Sequence, residues 1–285
     1  MKLSTETYVM RKRFGDMKAI EMIKKAGFDC YDYSMYWTDN NDDMLGEDYR
    51  EKAYALKAYA DKLGICCNQA HAPFEFNSKS DTMDITNAAY KRLIRSIEVA
   101  SVLGAKTIIV HAICDMPNDE FFDYNRTFYN SLITWCKKYK IEVSVENLFK
   151  PKDGNWEKNE WEGILSEPGE HMDFVKSLGE DCFNICVDVG HLAITGNKPD
   201  EVISAMDSRL LKSLHIHDND YSADLHYMPY FGSFDWDKII ASLKKIGYNN
   251  ELTFEIFGSL SKLDDELLQP ALDFAEKIGR NLIKK

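Results

Sequence analysis

The sequence predicts an α/β protein: one (β/α)8 TIM barrel spanning residues 1–285, with its working site at the C-terminal face of the strands. Three observations carry the prediction. First, Gly27, Gly64, Gly104, Gly179 and Gly247 share one context, each closing a helical stretch and most opening an apolar run, as in KKAGFDCYDY and SVLGAKTIIV. Second, they are spaced 37, 40, 75 and 68 residues apart, and glycine-free helix-to-strand junctions near Lys140 and Leu210 fill the two doubled gaps. A strand-plus-helix unit of ~37 residues then repeats about eight times, the size of one barrel. Third, the apolar runs end in histidines or carboxylates, and a closed parallel barrel brings all strand ends to one face. A doubly wound sheet is the alternative, but no glycine-rich phosphate loop follows the first strand.

Strands are expected near 2–9, 28–34, 65–70, 107–111, 142–146, 183–188, 211–217 and 251–257, each a short apolar run such as TIIV, IEVSV or LTFEIF. Helices are expected over 16–26, 49–63, 87–103, 121–139, 168–178, 236–246 and 264–283. The glycine just past a helix end takes the left-handed conformation that closes it. No linker or low-complexity segment divides the chain.

Hydrophobic residues make up 45% of the chain, ordinary for a protein with a sizeable core. The N-terminal MKLSTETYVMRKRFG lacks the apolar stretch of a secretory signal, and no run approaches the roughly 20 apolar residues that span a bilayer. A soluble, cytoplasmic protein without a membrane partner is expected, and a homo-oligomer is left open. Seven cysteines without CxxC or zinc-finger spacing read as reduced structural thiols. The net charge of −12 disfavours a non-specific polyanion binder, so nucleic acid is not the expected partner.

The strand ends carry the chemistry. QAHAP ends in His71, TIIVHA in His111 and EVSVEN in Glu146; NICVDVGH carries Asp188 and His191. SLHIHDND carries His215 and His217, DLHY carries Asp224 and His226, and LTFEIF carries Glu255. One such residue alone is ordinary, because a strand-end histidine usually packs and a strand-end acid usually caps the next helix. The third to eighth strands furnished this way in succession point instead to a divalent metal. Crowded carboxylates repel one another, and a cation removes that cost. Imidazole-rich ligation leans toward manganese, zinc or cobalt over magnesium. Of His215 and His217, only one is expected to face the barrel axis, and His171 reads as a surface residue.

At these residues the sequence resembles the xylose isomerase-like barrel superfamily. That group holds sugar and sugar-phosphate isomerases and epimerases, inosose-processing enzymes and the endonuclease IV type of abasic-site nuclease. The resemblance covers essentially the whole chain. Its most specific pieces are HAPF at His71–Phe74, VEN at Val145–Asn147, DVGH at Asp188–His191, HIHDND at His215–Asp220, DLH at Asp224–His226, and Glu255. For a sugar epimerase it implies one metal held by Glu146, Asp188, His217 and Glu255, with His215 behind the ligands or in packing. Glu146 and Glu255 are then the acid/base pair, and His191 contacts a substrate oxygen. For the nuclease it implies three zincs and adds His71, His111, His191, Asp224 and His226, so one to three ions are expected. HYMPYFGSFDW resembles the proline-glycine-tryptophan turn of sugar isomerase-like members, with Tyr230 or Phe231 where the first glycine is expected.

The loops weigh carbohydrate against DNA. WTDNNDDMLGED carries Asp39, Asp42, Asp43, Glu47 and Asp48, and the seventh loop carries Asp218, Asp220 and Asp224; neither holds a Lys or Arg. A protein gripping a phosphate backbone presents cations there. Arg11, Lys12 and Arg13, with Lys150 and Lys152, offer charge enough for one phosphate of a sugar phosphate, or are solvated basic turns. Tyr36, Trp37, Phe74, Phe76, Trp156, Trp161, Tyr227 and Phe231 can wall a small pocket, with Trp37 and Phe74 taken as substrate contacts. The long fifth loop, LFKPKDGNWEKNEWEG, reads as a lid. The expected function is a divalent-metal-dependent isomerase or epimerase of a small sugar, keto-polyol or sugar phosphate, working through an enediolate. The alternatives are an endonuclease-like multi-zinc phosphoesterase, and a sugar-acid or inosose dehydratase, lyase or non-catalytic binder.

Overall fold

The computed structural model describes residues 1–36, 44–179 and 181–285. Eight parallel strands form the barrel: β1 (Lys2–Glu6), β2 (Cys30–Ser34), β3 (Cys66–His71), β4 (Thr107–Val110), β5 (Glu142–Glu146), β6 (Phe183–Asp188), β7 (Leu211–His215) and β8 (Glu251–Phe254). Neighbours pair in chain order from β1 to β7, and β8 pairs with β1. The remaining seam, β7 to β8, is drawn together by a parallel bridge between Ile216 and Phe254, with Ile216 N donating to Thr253 O at 2.8 Å.

Helices lie where the spacing predicts them, over Asp16–Ala26, Tyr49–Leu63, Ala88–Leu103, Asn118–Tyr139, Pro168–Ser177, Trp236–Lys245 and Asp265–Lys284. Each buries one stripe on the sheet; Leu93, Ile97 and Ala100 do so at helical spacing in Ala88–Leu103. At the glycine-free junction Lys140 itself takes the left-handed conformation (φ 54°) that glycine supplies elsewhere. Gly179 is the exception among the repeat glycines. Its helix stops at Leu178 in extended backbone, and Gly179 N donates to Asn130 Oδ1 at 2.8 Å.

The expected first strand, 2–9, is shorter than its apolar run. Glu6 Oε2 accepts from Tyr8 N at 2.5 Å, turning the chain into the helix Tyr8–Phe14. The eighth strand likewise stops at Phe254, before the helix Phe257–Leu260. Two short helices, Val189–Ile194 and Pro199–Ala205, fill the connection between β6 and β7.

The apolar core lies between sheet and helices, where Leu3, Tyr31, Ile108, Val143, Val187 and Leu214 are buried. The barrel interior is different. Branched apolar side chains usually fill it, but here Ser4 Oγ donates to Asn68 Oδ1 (2.6 Å) and Asn68 Nδ2 to Thr253 Oγ1 (3.1 Å). On the other side Ser144 Oγ pairs with Thr107 Oγ1 (2.8 Å) and Ser213 Oγ (3.0 Å). This hydrogen-bonded polar plug forms the floor beneath the strand-end residues.

Candidate metal centre and active site

β3, β5, β6 and β7 end in His71, Glu146, Asp188 and His215. His111 and Glu255 follow β4 and β8 by one residue, and His217 follows β7 by two. Asp188 also caps the helix Val189–Ile194, accepting from His191 N at 2.8 Å, which fixes both side chains together. All of these except His111 are buried, and so is His226; His111 and Asp224 are half-buried.

The side chains meet in three overlapping groups. His71 Nε2 lies 3.1 Å from His111 Nε2, and Glu146 Oε2 is 2.8 Å from His111 and 3.6 Å from His71. Glu146 Oε1 and Asp188 Oδ1 lie 3.8 and 3.9 Å from His191 Nδ1, and His217 Nε2 is 3.0 and 3.1 Å from the two Asp188 oxygens. Asp224 Oδ2 is 2.9 Å from His226 Nε2 and 3.6 Å from His191 Nε2, and Glu255 Oε2 is 3.5 Å from His226 Nδ1. Glu146 thus joins the first group to the second, and His191 joins the second to the third.

Two histidine expectations need correction. Residues two apart on a strand share a face, and both His215 and His217 turn to the site. His215 Nδ1 sits among three carboxylates: Glu146 at 2.7 Å, Glu255 at 3.5 Å and Asp188 at 3.8 Å. His217 lies beyond it, its ring stacked on His226 at 3.9 Å and pressed against the backbone of Gly190, where a Cβ would stand 1.9 Å from Cε1. His171 is not a surface residue. It is fully buried, and its Nε2 donates to Val145 O at 3.0 Å, directly behind Glu146.

Burial works against every charge here, and neighbours then decide. Burial would raise Glu146, yet His215 and His111 hold it well below the usual carboxylate range. Burial likewise opposes ionisation of Asp188 and Asp224, but His191 and His217 lower the first, and His226 and His191 lower the second. Burial would depress His191 and His226; Asp188 and Asp224 lift His191 well above its ordinary value, and Asp224 leads in lifting His226 to about 9. In His111 burial prevails and the value falls. Imidazolium–carboxylate pairing therefore balances charge across this face, the balance a divalent cation also provides. The donor set fits such a cation. One donor atom each from His71, His111 and Glu146 lie within 4.8 Å of one another, as do those of Glu146, Asp188 and His191, of His191, Asp224 and His226, and of His217, His226 and Glu255; Asp224 Oδ1 and His217 Nδ1 are buried without a hydrogen-bond partner.

Sequence reasoning missed two acids and gave Tyr36 too small a part. Glu6 and Asp32 extend the ring of acids to β1 and β2, and Glu6 Oε1, Asp32 Oδ1 and His215 Nε2 are buried without a partner. Burial, and then the nearby Glu255 charge, push the Glu6 carboxyl up to about 8. Reading the first strand through to residue 9 hid Glu6 in mid-run. Tyr36, noted as a wall aromatic, does more: its hydroxyl donates to Glu255 Oε1 while its ring stacks on Phe74 at 5.4 Å. Phe74 lines the site as expected. Trp37, Asp39, Asp42 and Asp43 lie outside the described residues.

The loop charges are more engaged than their composition implies. Glu47 pairs with Arg95 at 2.7 Å and Lys91 at 3.3 Å. Asp218 is buried and accepts from Trp236 Nε1 (2.8 Å) and Tyr230 N (2.9 Å). Tyr230 has φ 77°, a left-handed conformation that glycine adopts most readily. Arg11 is buried against Asp16 (2.6 Å), and Arg13 holds the carbonyls of Leu263 and Ser261. These arginines serve the fold instead of a phosphate.

A cavity of about 1490 Å³ opens above the cluster, lined by His71, His111, Glu146, His191, Asp224, His226 and Glu255 at its inner end. Lys150 is the one Lys or Arg among its described lining residues. The fifth loop, expected as a lid, folds into an antiparallel hairpin of Leu148–Pro151 with Trp161–Ile164. It is tied on both flanks: Asn118 Nδ2 donates to Glu162 Oε1 (2.7 Å), and Trp161 Nε1 donates to Ser222 O (3.0 Å). None of the seven cysteines forms a disulfide. No helix among the described residues is long and apolar enough to cross a membrane.

A parallel barrel with carboxylates and imidazoles gathered at its C-terminal mouth defines a class of metal-site barrels. The chain belongs to the xylose isomerase-like TIM barrel family, whose sequence pattern matches residues 20–278. It is 25% identical over 168 residues to the uncharacterized protein y4fM of Sinorhizobium fredii, a match spanning 56% of this chain and half the length of that relative. Its fold is similar to a D-psicose 3-epimerase solved with D-fructose (TM-score 0.75, 17% identity, all of both chains covered). It is also similar to the IOLI protein, solved with a zinc atom bound (TM-score 0.73, 16% identity, 99% of this chain and 98% of that one).

Proposed function

We propose that this protein is a divalent-metal-dependent isomerase or epimerase of a small sugar or keto-polyol. One observation carries the reading: Glu146 from β5 and Glu255 from β8 converge at the barrel mouth, their carboxylate oxygens 2.7 and 3.5 Å from His215 Nδ1. Two carboxylates brought to one site from different strands can remove a C–H proton on one face and return it on the other. Glu146, Asp188, His217 and Glu255 would hold the ion, and a bound divalent cation supplies Lewis acidity to a carbonyl beside the exchanging C–H. His191, fixed between Asp188 and Asp224, can donate to a substrate oxygen. Tyr36 orients Glu255 through its hydroxyl, and Phe74 walls the pocket beside it. Similarity to a sugar epimerase in fold and family supports the reaction class.

A second reading has one observation in its favour. The groups His71–His111–Glu146 and His191–Asp224–His226 flank the central ligands, so three ions fit, as a multi-zinc phosphoesterase requires. Against it stands the cavity lining, where Lys150 is the one Lys or Arg among the described residues and offers a polyanionic backbone little counter-charge. The test is solvent deuterium incorporation into ketose substrates by the metal-loaded protein. Incorporation that Glu255→Gln abolishes, with the fold intact, supports the epimerase; exchange surviving in that variant overturns the acid/base assignment. Cleavage of an abasic-site oligonucleotide with three bound zincs per chain would establish the other reading.

A further inference from the structure

We infer that the sugar taken by this site carries a second, uncharged sugar ring, which lies against the hairpin of Leu148–Pro151 and Trp161–Ile164. The inference rests on the carbohydrate reading above and adds the size and charge of the substrate. Small-molecule pockets usually enclose about 300–1,000 Å³, and this one encloses about 1490 Å³. A single monosaccharide held at the carboxylates occupies only the inner part. The outer part is a built chamber.

Its walls have the chemistry that recognises a pyranose. Phe149 stands at the junction, 4.9 Å from the His191 ring on one side and 6.4 Å from Trp156 on the other. Trp156 is 63% exposed although it packs 5.6 Å from Trp161, so one indole face is open beside the chamber. Aromatic faces of this kind stack on the C–H face of a sugar, and leaving a large one in water otherwise has a hydrophobic cost. In the same lining, Asn77, Asp115, Asp153 and Glu162 supply amide and carboxylate groups for hydroxyls. The hairpin ties through Asn118 and Ser222 hold this wall in place, so the chamber is a fixed subsite.

The charge of the second group follows from the same lining. Lys150 is already engaged by Asn118 Oδ1 and lies 3.8 Å from Glu162 Oε2. A phosphate or carboxylate there would meet Asp115, Asp153 and Glu162, with Lys150 the one Lys or Arg among the described lining residues and Lys158 3.9 Å from Asp153. A neutral glycosyl ring avoids that repulsion, and its hydroxyls find carboxylate acceptors and the Asn77 amide.

The experiment compares D-fructose with three keto-disaccharides that present a fructose unit, lactulose, isomaltulose and turanose, and with fructose 6-phosphate. In deuterated buffer with manganese, at least one disaccharide is expected to exceed both D-fructose and the phosphate tenfold or more in kcat/KM for exchange. Trp156→Ala is expected to collapse that ratio towards one, and Trp156→Phe to restore most of it. Equal kcat/KM for D-fructose and every disaccharide, or a ratio that Trp156→Ala leaves unchanged, overturns the subsite. A preference for the phosphate overturns the charge argument. Calorimetric binding of the same sugars to Glu255→Gln separates this from the underlying function. Tighter disaccharide binding without exchange by the parent protein leaves the subsite standing and rejects the epimerase, whereas exchange into D-fructose without disaccharide preference does the reverse.

Discussion

His171 offers the most quantitative test of how the scaffold supports the site. Its imidazole is fully buried, donates from Nε2 to the carbonyl next to Glu146, and has no partner at Nδ1. Protonation would place a charge and an unmatched N–H in the core. Burial accordingly drives its pKa down from 6.5 to about 4, with the Val145 carbonyl opposing only in part. The sign follows from the depressed value: the neutral ring is favoured by folding, so its stability contribution is complete above pH 6.5 and is lost as pH falls towards 4. A shift of that size corresponds to about 3 kcal/mol, of which about 2 kcal/mol is gone by pH 5. The raised values of His191 and His226 act in the opposite sense, contributing at low pH and fading as pH rises. Comparing the parent with His171→Gln, which keeps a donor but cannot titrate, cancels those terms. Urea unfolding at pH 7 and pH 5 in chelator should show the parent losing about 2 kcal/mol more than the variant, roughly 0.7 M in midpoint for a slope near 3 kcal/mol/M. Parallel losses in the two proteins would refute the buried neutral imidazole.

Other consequences concern the cluster directly. Saturation of the chelated protein with manganese or zinc at a hundredfold excess over Kd should raise the thermal midpoint by about 4 °C, read by calorimetry, and no shift would argue against a metal site. Gly190→Ala places a Cβ where the His217 ring stands, and stacking on His226 blocks retreat. Metal affinity should fall by about tenfold to a hundredfold with the fold retained, measured by competition with a chromophoric chelator. Tyr36→Phe removes the hydroxyl that orients Glu255, and kcat should drop by about tenfold with little change in KM. An unaltered kcat would show that Glu255 needs no such support.

How much of this was legible follows from which forces act locally. Helix ends and strand starts are set by short-range chemistry, so the glycine-spaced repeat located seven of the helices and all eight strands. Strand-end placement puts His71, His111, Glu146, Asp188, His191, His217, Asp224, His226 and Glu255 on one face, where the structure brings their side chains together. What stayed hidden depends on contacts distant in sequence. His171 sits in a ten-residue helix with polar neighbours, and only the β5 carbonyl beneath it explains its burial. The acidity of the second loop looked like an open negative surface, but Arg95 and Lys91, more than forty residues on, neutralise Glu47.

Register is the deepest of these hidden terms. Between β6 and β7 the pairing runs Ile185 to Leu211 and then Cys186 to Ser213, skipping Lys212, so that Asp188 comes level with His215. Unshifted pairing would set Asp188 beside Leu214, whose side chain belongs to the opposite face. The β2–β3 pair has the same device: Tyr31 meets Cys67 but Asp32 meets Gln69, whose Nε2 then donates to Asp32 Oδ2 at 2.8 Å. Both shifts fall immediately below the site, on strands that bring acids to the axis. Neither is marked by a distinct hydrophobic period, because one unpaired residue, Lys212 in β7 or Asn68 in β3, changes the register without lengthening the apolar run. The sequence pattern therefore fixes which residues reach the barrel mouth, while closure of the sheet decides which of them face one another.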